Sequence, residues 1–273
     1  MVAFVPKRSG VGVVEIFGPI GGGAQVTEQA KLLESVRTNR RMKALLIDID
    51  SPGGSVGGSE ILYARLERVA RDKPVVAFVR GLGASGAYLL SCTAVKIVSI
   101  PSALVGSIGV LYVRPVLQEL LERIGVGLSV YKGGRLKDMT GFWRSTTAEE
   151  DDKFKGIVEE IHESFISSVA KGRNMDPDQV REIATGEVFT GRKAKELGLV
   201  DELGDFDRAL ELAAELGQVK PKPLWVRPRR SFAERLAGGF GRSMAAGVVS
   251  EFERGIPGGL YYGAPWLNGG GWR

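Results

Sequence analysis

Lys43-Ala44-Leu45-Leu46-Ile47-Asp48-Ile49-Asp50, running directly into Ser51-Pro52-Gly53-Gly54-Ser55, is the stretch that decides how this chain is read. Its first half is nearly continuous in apolar residues over the length of one strand. That is the mark of a strand covered on both faces, as in a mostly parallel sheet. Its second half is a strong turn signal, since Pro fixes one backbone angle and paired glycines permit conformations closed to other residues. In α/β proteins, ligands bind where such strands end.

The same cycle recurs on both sides. Val11–Phe17 reads as a strand ending at Gly18-Pro19, with a loop at Gly21–Gly23 and a helical pattern over Val26–Val36. Ser59–Arg71 reads as a helix, Pro74–Val79 as a strand, and a short helix starts near Ser85. Strands are expected at Lys96–Ile100, Gly109–Val113 and Gly127–Tyr131, with a helix over Pro115–Ile124. Alternating strands and helices predict an α/β fold with a mostly parallel sheet.

After residue 145 the chain turns helical. Thr147-Ala148-Glu149-Glu150 is a capping box, in which the hydroxyl caps the backbone and Glu150 reaches back. The helix behind it carries Phe154, Ile157, Val158, Ile161, Phe165 and Val169 at helical spacing and ends near Lys171-Gly172. Shorter helices are expected at Asp176–Ala184, Arg192–Leu197 and Phe206–Leu216. The reading divides the chain into one principal domain over residues 1–217 and an extension over 218–273. The extension is first basic and then, from Gly258, rich in Gly and aromatics: Tyr261, Tyr262, Trp266 and Trp272. Such a tail reads as a poorly ordered terminus, or else as a docking strand or interfacial anchor.

Composition narrows the function classes. The chain has 273 residues, 44% hydrophobic and 25% charged, with a net charge of +5. That is ordinary globular composition. The positive residues are scattered, which argues against nucleic acid and leaves room for a peripheral contact with anionic lipid. The single cysteine, Cys92, excludes an intramolecular disulfide, and its apolar surroundings predict a buried thiol. No apolar run reaches the roughly 18 residues of a transmembrane helix, and the opening MVAFVPKRSG lacks the apolar stretch of a signal peptide. A soluble or peripheral protein, cytoplasmic or membrane-associated, is the expectation.

Three Gly-containing segments fall at or just after strand ends: Ser51-Pro52-Gly53-Gly54, Gly81-Leu82-Gly83-Ala84-Ser85-Gly86 and Gly106-Ser107-Ile108-Gly109. A phosphate cradle is the first reading to weigh. The P-loop pattern is absent, and Gly81-x-Gly83-x-x-Gly86 lacks the acidic residue expected about 20 positions on. Nucleophilic catalysis is the second. Ser85 at a helix start, flanked by small residues, presents an unhindered hydroxyl beside backbone N–H groups suited to an oxyanion. Taken alone it is equally an ordinary helix cap.

What would activate Ser85 is the deciding question. The only histidine, His162, sits among acidic residues on the long helix, far along the chain from the Gly-rich loops. Its isolation also argues against a His-bearing metal site, and no cofactor is expected. A lysine serves instead when its surroundings lower its pKa. Tyr131-Lys132-Gly133-Gly134-Arg135-Leu136-Lys137-Asp138 offers two, and spacing alone does not choose between Lys132 and Lys137.

Several segments resemble the signal peptide peptidase A family, serine/lysine peptidases with a ClpP/crotonase-like fold of repeated β-β-α units and a helical C-terminal part. They are Ile49-Asp50-Ser51-Pro52-Gly53-Gly54, Gly83-Ala84-Ser85-Gly86-Ala87-Tyr88, Val105-Gly106-Ser107-Ile108-Gly109-Val110, Tyr131–Lys137, Val169-Ala170-Lys171-Gly172-Arg173 and Phe189–Asp201. The resemblance covers roughly residues 10 to 215. It implies Ser85 as nucleophile and Lys137 as general base, Gly54 and Gly86 as oxyanion-hole donors, and Ser107 as a serine that positions the lysine. It further implies signal-peptide or other apolar, unfolded peptide substrates and a homo-oligomeric ring of half-length chains with shared active sites. Two departures stand out. No N-terminal membrane anchor is visible, and Ala87 stands where a second glycine is commoner.

Three other readings share these residues. One is a peptidase of the stomatin-associated type. Another is an acyl-CoA enzyme on the same fold, with Asp48 and Asp50 as its nearest carboxylates. The last is a catalytically silent scaffold.

Overall fold

The computed structural model describes residues 9–228, and the backbone alone of 259–261. The apolar stretch that opened the reading forms strand β2 (Met42–Ser51), buried over Ala44–Ile49. On either side run β1 (Gly10–Phe17) and β3 (Val75–Ala84), both parallel to it. The sheet has eight strands. Along its main path β3 is followed by β5 (Leu104–Gly106) and β7 (Val188–Thr190), and β1 is followed by β9 (Pro223–Trp225). β4 (Lys96–Ser99) also pairs with β3, and β8 (Glu202–Leu203) pairs with β4. Among the described residues of this sheet, only β5 and β7 pair antiparallel.

Both faces of β1 to β3 are covered. On one lies α8 (Phe206–Leu216), capped by Asp205, whose carboxylate accepts from the Arg208 N–H. Its Ala209, Leu210, Ala213 and Ala214 pack on Val11, Val13, Ala44, Leu46, Val76, Phe78 and Val98. Each large apolar side chain fully buried in this way contributes about 1.5–3 kcal/mol. The other face meets α1 (Gly23–Thr38), where a side chain at Gly12 would crowd Val36 at 3.0 Å. Next to α1 lies α2 (Val56–Asp72), started by Ser55, whose hydroxyl accepts from the Gly58 N–H.

The chain divides into two compact units at Val110/Leu111 and again at Glu160/Ile161. The sheet and its helices form the first. The second holds β6 (Leu111–Val113), α4 (Gln118–Arg123) and the first half of α5 (Ala148–Arg173). Its hub is Arg144, whose guanidinium bonds both Asp138 and Glu150. The capping box forms as its residue types require. The Thr147 N–H donates to the Glu150 carboxylate at 2.9 Å, and the Glu150 N–H donates back to the Thr147 hydroxyl. Tyr112 stacks on Phe154 with ring centres 4.4 Å apart.

The strand expected at Gly127–Tyr131 does not form. Its alternating apolar side chains Leu128, Val130 and Tyr131 are 52%, 45% and 96% exposed. A strand exists only with a neighbour to take its N–H and C=O groups, and no neighbouring strand pairs with this stretch among the described residues. In contrast, β3 runs five residues past Val79. Its glycines, which read as loop, mark close approaches: a side chain at Gly81 would meet the Asp50 carboxylate at 3.0 Å, and one at Gly83 would meet Val79 at 2.8 Å. In the tail, Gly259–Tyr261 forms β10, which pairs with β6. Tyr262, Trp266, Trp272 and the run Arg229-Arg230 lie outside the described residues. Among the described residues no helix is long and apolar enough to cross a membrane. Cys92 is free and buried, and burial pushes its thiol up to about 12.

Candidate active site

β3 delivers Ser85 to the sheet's C-terminal edge, where it precedes α3 (Gly86–Ser91). Its backbone stands at φ 57°, ψ −123°. A non-glycine residue held there costs on the order of 1–3 kcal/mol, and such strain persists where the surroundings over-determine it. Here they do. The Ser85 N–H donates to the Gly106 carbonyl at 2.7 Å, and the Ser85 carbonyl accepts from Leu89 at 2.9 Å. The Ser85 hydroxyl is buried and, among the described residues, has no hydrogen-bond partner.

Two turns flank it. On one side, β2 ends in Ser51-Pro52-Gly53-Gly54, with Gly53 at φ +86°. A side chain on Gly53 would fall 2.6 Å from the Gly86 nitrogen and 3.0 Å from the Ser85 Cβ, so only glycine lets this turn lie against the serine. Gly54 bridges to Ile20: the Ile20 N–H donates to Gly53 at 2.7 Å, and the Ile20 carbonyl accepts from Ser55 at 2.8 Å. In a parallel bridge this leaves the N–H of Gly54 itself facing away from Ile20. On the other side, β5 ends at Gly106, and Ser107 follows at φ 51° with its N–H donating to Glu187 at 2.7 Å.

Gly86 is the first residue of α3, so its N–H has no acceptor within the helix. Beneath it lies Ser59 of α2, fully buried. A Cβ on Gly86 would stand 2.2 Å from the Ser59 hydroxyl, which also lacks a partner among the described residues. Ser59 was no site candidate in the sequence, because a serine on a helix four residues after another carries no signal by itself. Gly53 likewise read only as part of a turn.

The structure thus brings together Ser85, Gly54, Gly86 and Ser107, all in the first unit. Lys137 lies in the second, exposed, in a turn where its N–H donates to Gly134 at 3.2 Å. The two lysines differ. Lys132 is ion-paired with Asp138 at 2.6 Å, whereas Lys137 has no carboxylate partner among the described residues. His162 is half-buried on α5.

Comparison with known proteins shows which family the chain resembles. The model of the family described as "Peptidase family S49" matches residues 67–220. The chain is 34% identical over 235 residues to the Synechocystis protein named "Putative protease slr0021", covering 85% of this chain and 84% of that one. It is 37% identical over 204 residues to "Protease 4" of Salmonella typhi, and 32% identical over 216 residues to "Serine protease SPPA, chloroplastic" of Arabidopsis thaliana. Those matches cover 74% and 78% of this chain but only 32% of each relative, so the chain spans about a third of their length.

Proposed function

The chain belongs to peptidase family S49 and is a serine-type peptidase; on that premise we propose that Ser85 is its nucleophile and Lys137 its general base. Neutral Lys137 takes the hydroxyl proton as Ser85 attacks the scissile carbonyl. The N–H groups of Gly54 and Gly86 hold the oxyanion, Lys137 protonates the leaving amine, and water then releases the acyl-enzyme. Ser107 positions the lysine. The observation that carries this reading is the Ser85 hydroxyl, buried and unpartnered on a strained strand-to-helix turn with a glycine turn packed against it. An unsatisfied buried hydroxyl costs about 1–3 kcal/mol and calls for an explanation; at Ser85 it coincides with backbone strain and the adjoining glycine turn, which supports a catalytic use.

The choice of Lys137 over Lys132 is supported by their partners. Lys132 is already held by the Asp138 carboxylate at 2.6 Å, whereas Lys137 has no carboxylate partner among the described residues. The lysine serving a given Ser85 comes from a neighbouring copy, in a homo-oligomeric ring with shared sites. The unpartnered Ser85 hydroxyl and the exposed apolar stretch Leu128–Tyr131 support this. The substrates are remnant signal peptides or other apolar, unfolded segments bound in extended form. This extends to the chain what the name of an Enterococcus faecium relative, "Putative signal peptide peptidase SppA", says of that protein.

The test is a signal-peptide cleavage assay of Ser85→Ala and Lys137→Ala. Each should lose activity by about 10³-fold or more, while Lys132→Ala retains it. Near wild-type cleavage by either of the first two would sink the dyad.

A further inference from the structure

All the long parallel strands of the first unit begin at one edge of the sheet, opposite the end that carries Ser85. That entry edge is densely basic. Arg40 and Arg41 precede β2 and Lys43 is its second residue; Lys73 precedes β3; Lys220 and Lys222 precede β9. Backbone bonds knit these entries together. Gly10 donates to the Arg41 carbonyl at 3.0 Å, Val11 to the Lys222 carbonyl at 3.0 Å, and Leu45 to the Pro74 carbonyl at 2.9 Å. Strands about 4.8 Å apart bring successive entries close together.

Between the entries of β2 and β3 opens a cleft of about 280 Å³, lined by Arg37, Arg40, Lys43, Asp72 and Lys73 with Thr38 and Met42. Its charges do not cancel. Asp72 is taken by Arg37 at 2.9 Å, and Arg37 is shared with Glu34. Arg40 and Lys43 are exposed and, among the described residues, have no carboxylate partner. The Lys73 ammonium donates to the carbonyls of Val36 and, at 2.8 Å, Asn39. It thereby neutralises the negative end of α1; the Asp72 carboxylate also acts on this ammonium, although its ion pair is with Arg37. Burial first, and then the charge of Lys43, hold Lys73 below its ordinary pKa, with Asp72 acting in the opposite direction.

We propose that this cleft is an anion site for a phosphate group, independent of the peptidase site, with Arg40, Lys43 and Lys73 as its ligands. An Arg fork and two lysine point charges are the side chains that phosphate recognition uses. No aromatic side chain lines the cleft, so nothing there stacks a base. The phosphate belongs either to an anionic lipid headgroup or to a soluble phosphoester, both recognised by the same chemistry.

The full chain, wild type and Arg40→Gln/Lys43→Gln, is measured in two arms at low salt. One is co-sedimentation with phosphatidylglycerol vesicles against phosphatidylcholine vesicles. The other is calorimetric titration with inorganic pyrophosphate. Binding in the vesicle arm assigns the site to lipid, and binding in the pyrophosphate arm assigns it to a soluble ligand; either supports the proposal if the double variant weakens it. Loss of about fivefold per cation is expected, on the order of 20-fold together. Both side chains are exposed and unpaired, so the variant should melt like wild type and cleave peptide at the wild-type rate. No binding in either arm, or binding that the variant leaves unchanged, overturns the proposal. Tighter, variant-sensitive retention of an oligonucleotide overturns it as well, since the edge would then be a nucleic-acid surface.

Discussion

Ser85 and Ser107 are joined through one peptide unit: the Ser85 N–H donates at 2.7 Å to the carbonyl of Gly106, the residue bonded to Ser107. The strained turn of one serine therefore fixes the backbone that presents the other, which is itself at φ 51°. If Ser107 positions the lysine, Ser107→Ala should lower kcat with little change in KM, by up to about 10²-fold, the cost of a misplacement of about an ångström. Steady-state kinetics on a peptide substrate checks the split. A rise in KM at constant kcat would place Ser107 in substrate binding instead.

Strain at Ser85 makes a second prediction, in the opposite direction for stability and activity. Glycine tolerates φ 57° without the clash that a Cβ brings. Ser85→Gly should abolish cleavage yet stabilise the fold by about 1 kcal/mol, net of the greater freedom of glycine in the unfolded chain. Ser85→Ala should abolish cleavage and keep the strain. Chemical denaturation of the two variants side by side reads the difference.

Gly86 and Ser59 form a steric pair. With only 2.2 Å between a Gly86→Ala methyl and the Ser59 hydroxyl, and 3.0 Å to its Cβ, the turn must shift. Gly86→Ala should lower the melting temperature and impair catalysis, and adding Ser59→Gly should restore much of the melting temperature. Gly54→Ala has no such rescue, because its methyl would lie 1.9 Å from the backbone oxygen of Ile20. Thermal melts of the three variants decide it.

Much of this was legible in the chain. The apolar run through β2 announced a doubly covered parallel strand, and the short helix expected at Phe206–Leu216 forms with those bounds as α8. The capping box of Thr147 and Glu150 is local chemistry, so it too could be read directly. Short strands could not. β5, β7, β8 and β9 have two or three residues each and owe their state to neighbours distant in sequence. The same dependence misled the reading at Gly127–Tyr131, where the pattern is a strand's and no partner strand lies among the described residues. Ser59 was invisible because its role is set by what packs above it.

Acid should loosen the second unit. The Arg144 guanidinium holds Glu150 down to about 2, and together with Lys132 it holds Asp138 well below the usual carboxylate range. Carboxyls with depressed folded values contribute stability that is full above their unfolded values, near 4 to 4.5. That stability is lost as pH falls toward the folded ones. Trp143 fluorescence should therefore report a transition between about pH 4.5 and 2. Arg144→Gln leaves both carboxyls without their guanidinium partner, raising their folded values, and should move the transition to higher pH. An unmoved midpoint would mean that the hub does not set the acid limit.

The dyad itself is tested most directly by the rate at which a fluorophosphonate labels the chain, followed by mass spectrometry of the adduct. The account predicts one adduct, on the peptide containing Ser85. Labelling should be lost in both Ser85→Ala and Lys137→Ala. An adduct on another residue, or undiminished labelling of Ser85 in Lys137→Ala, would contradict it.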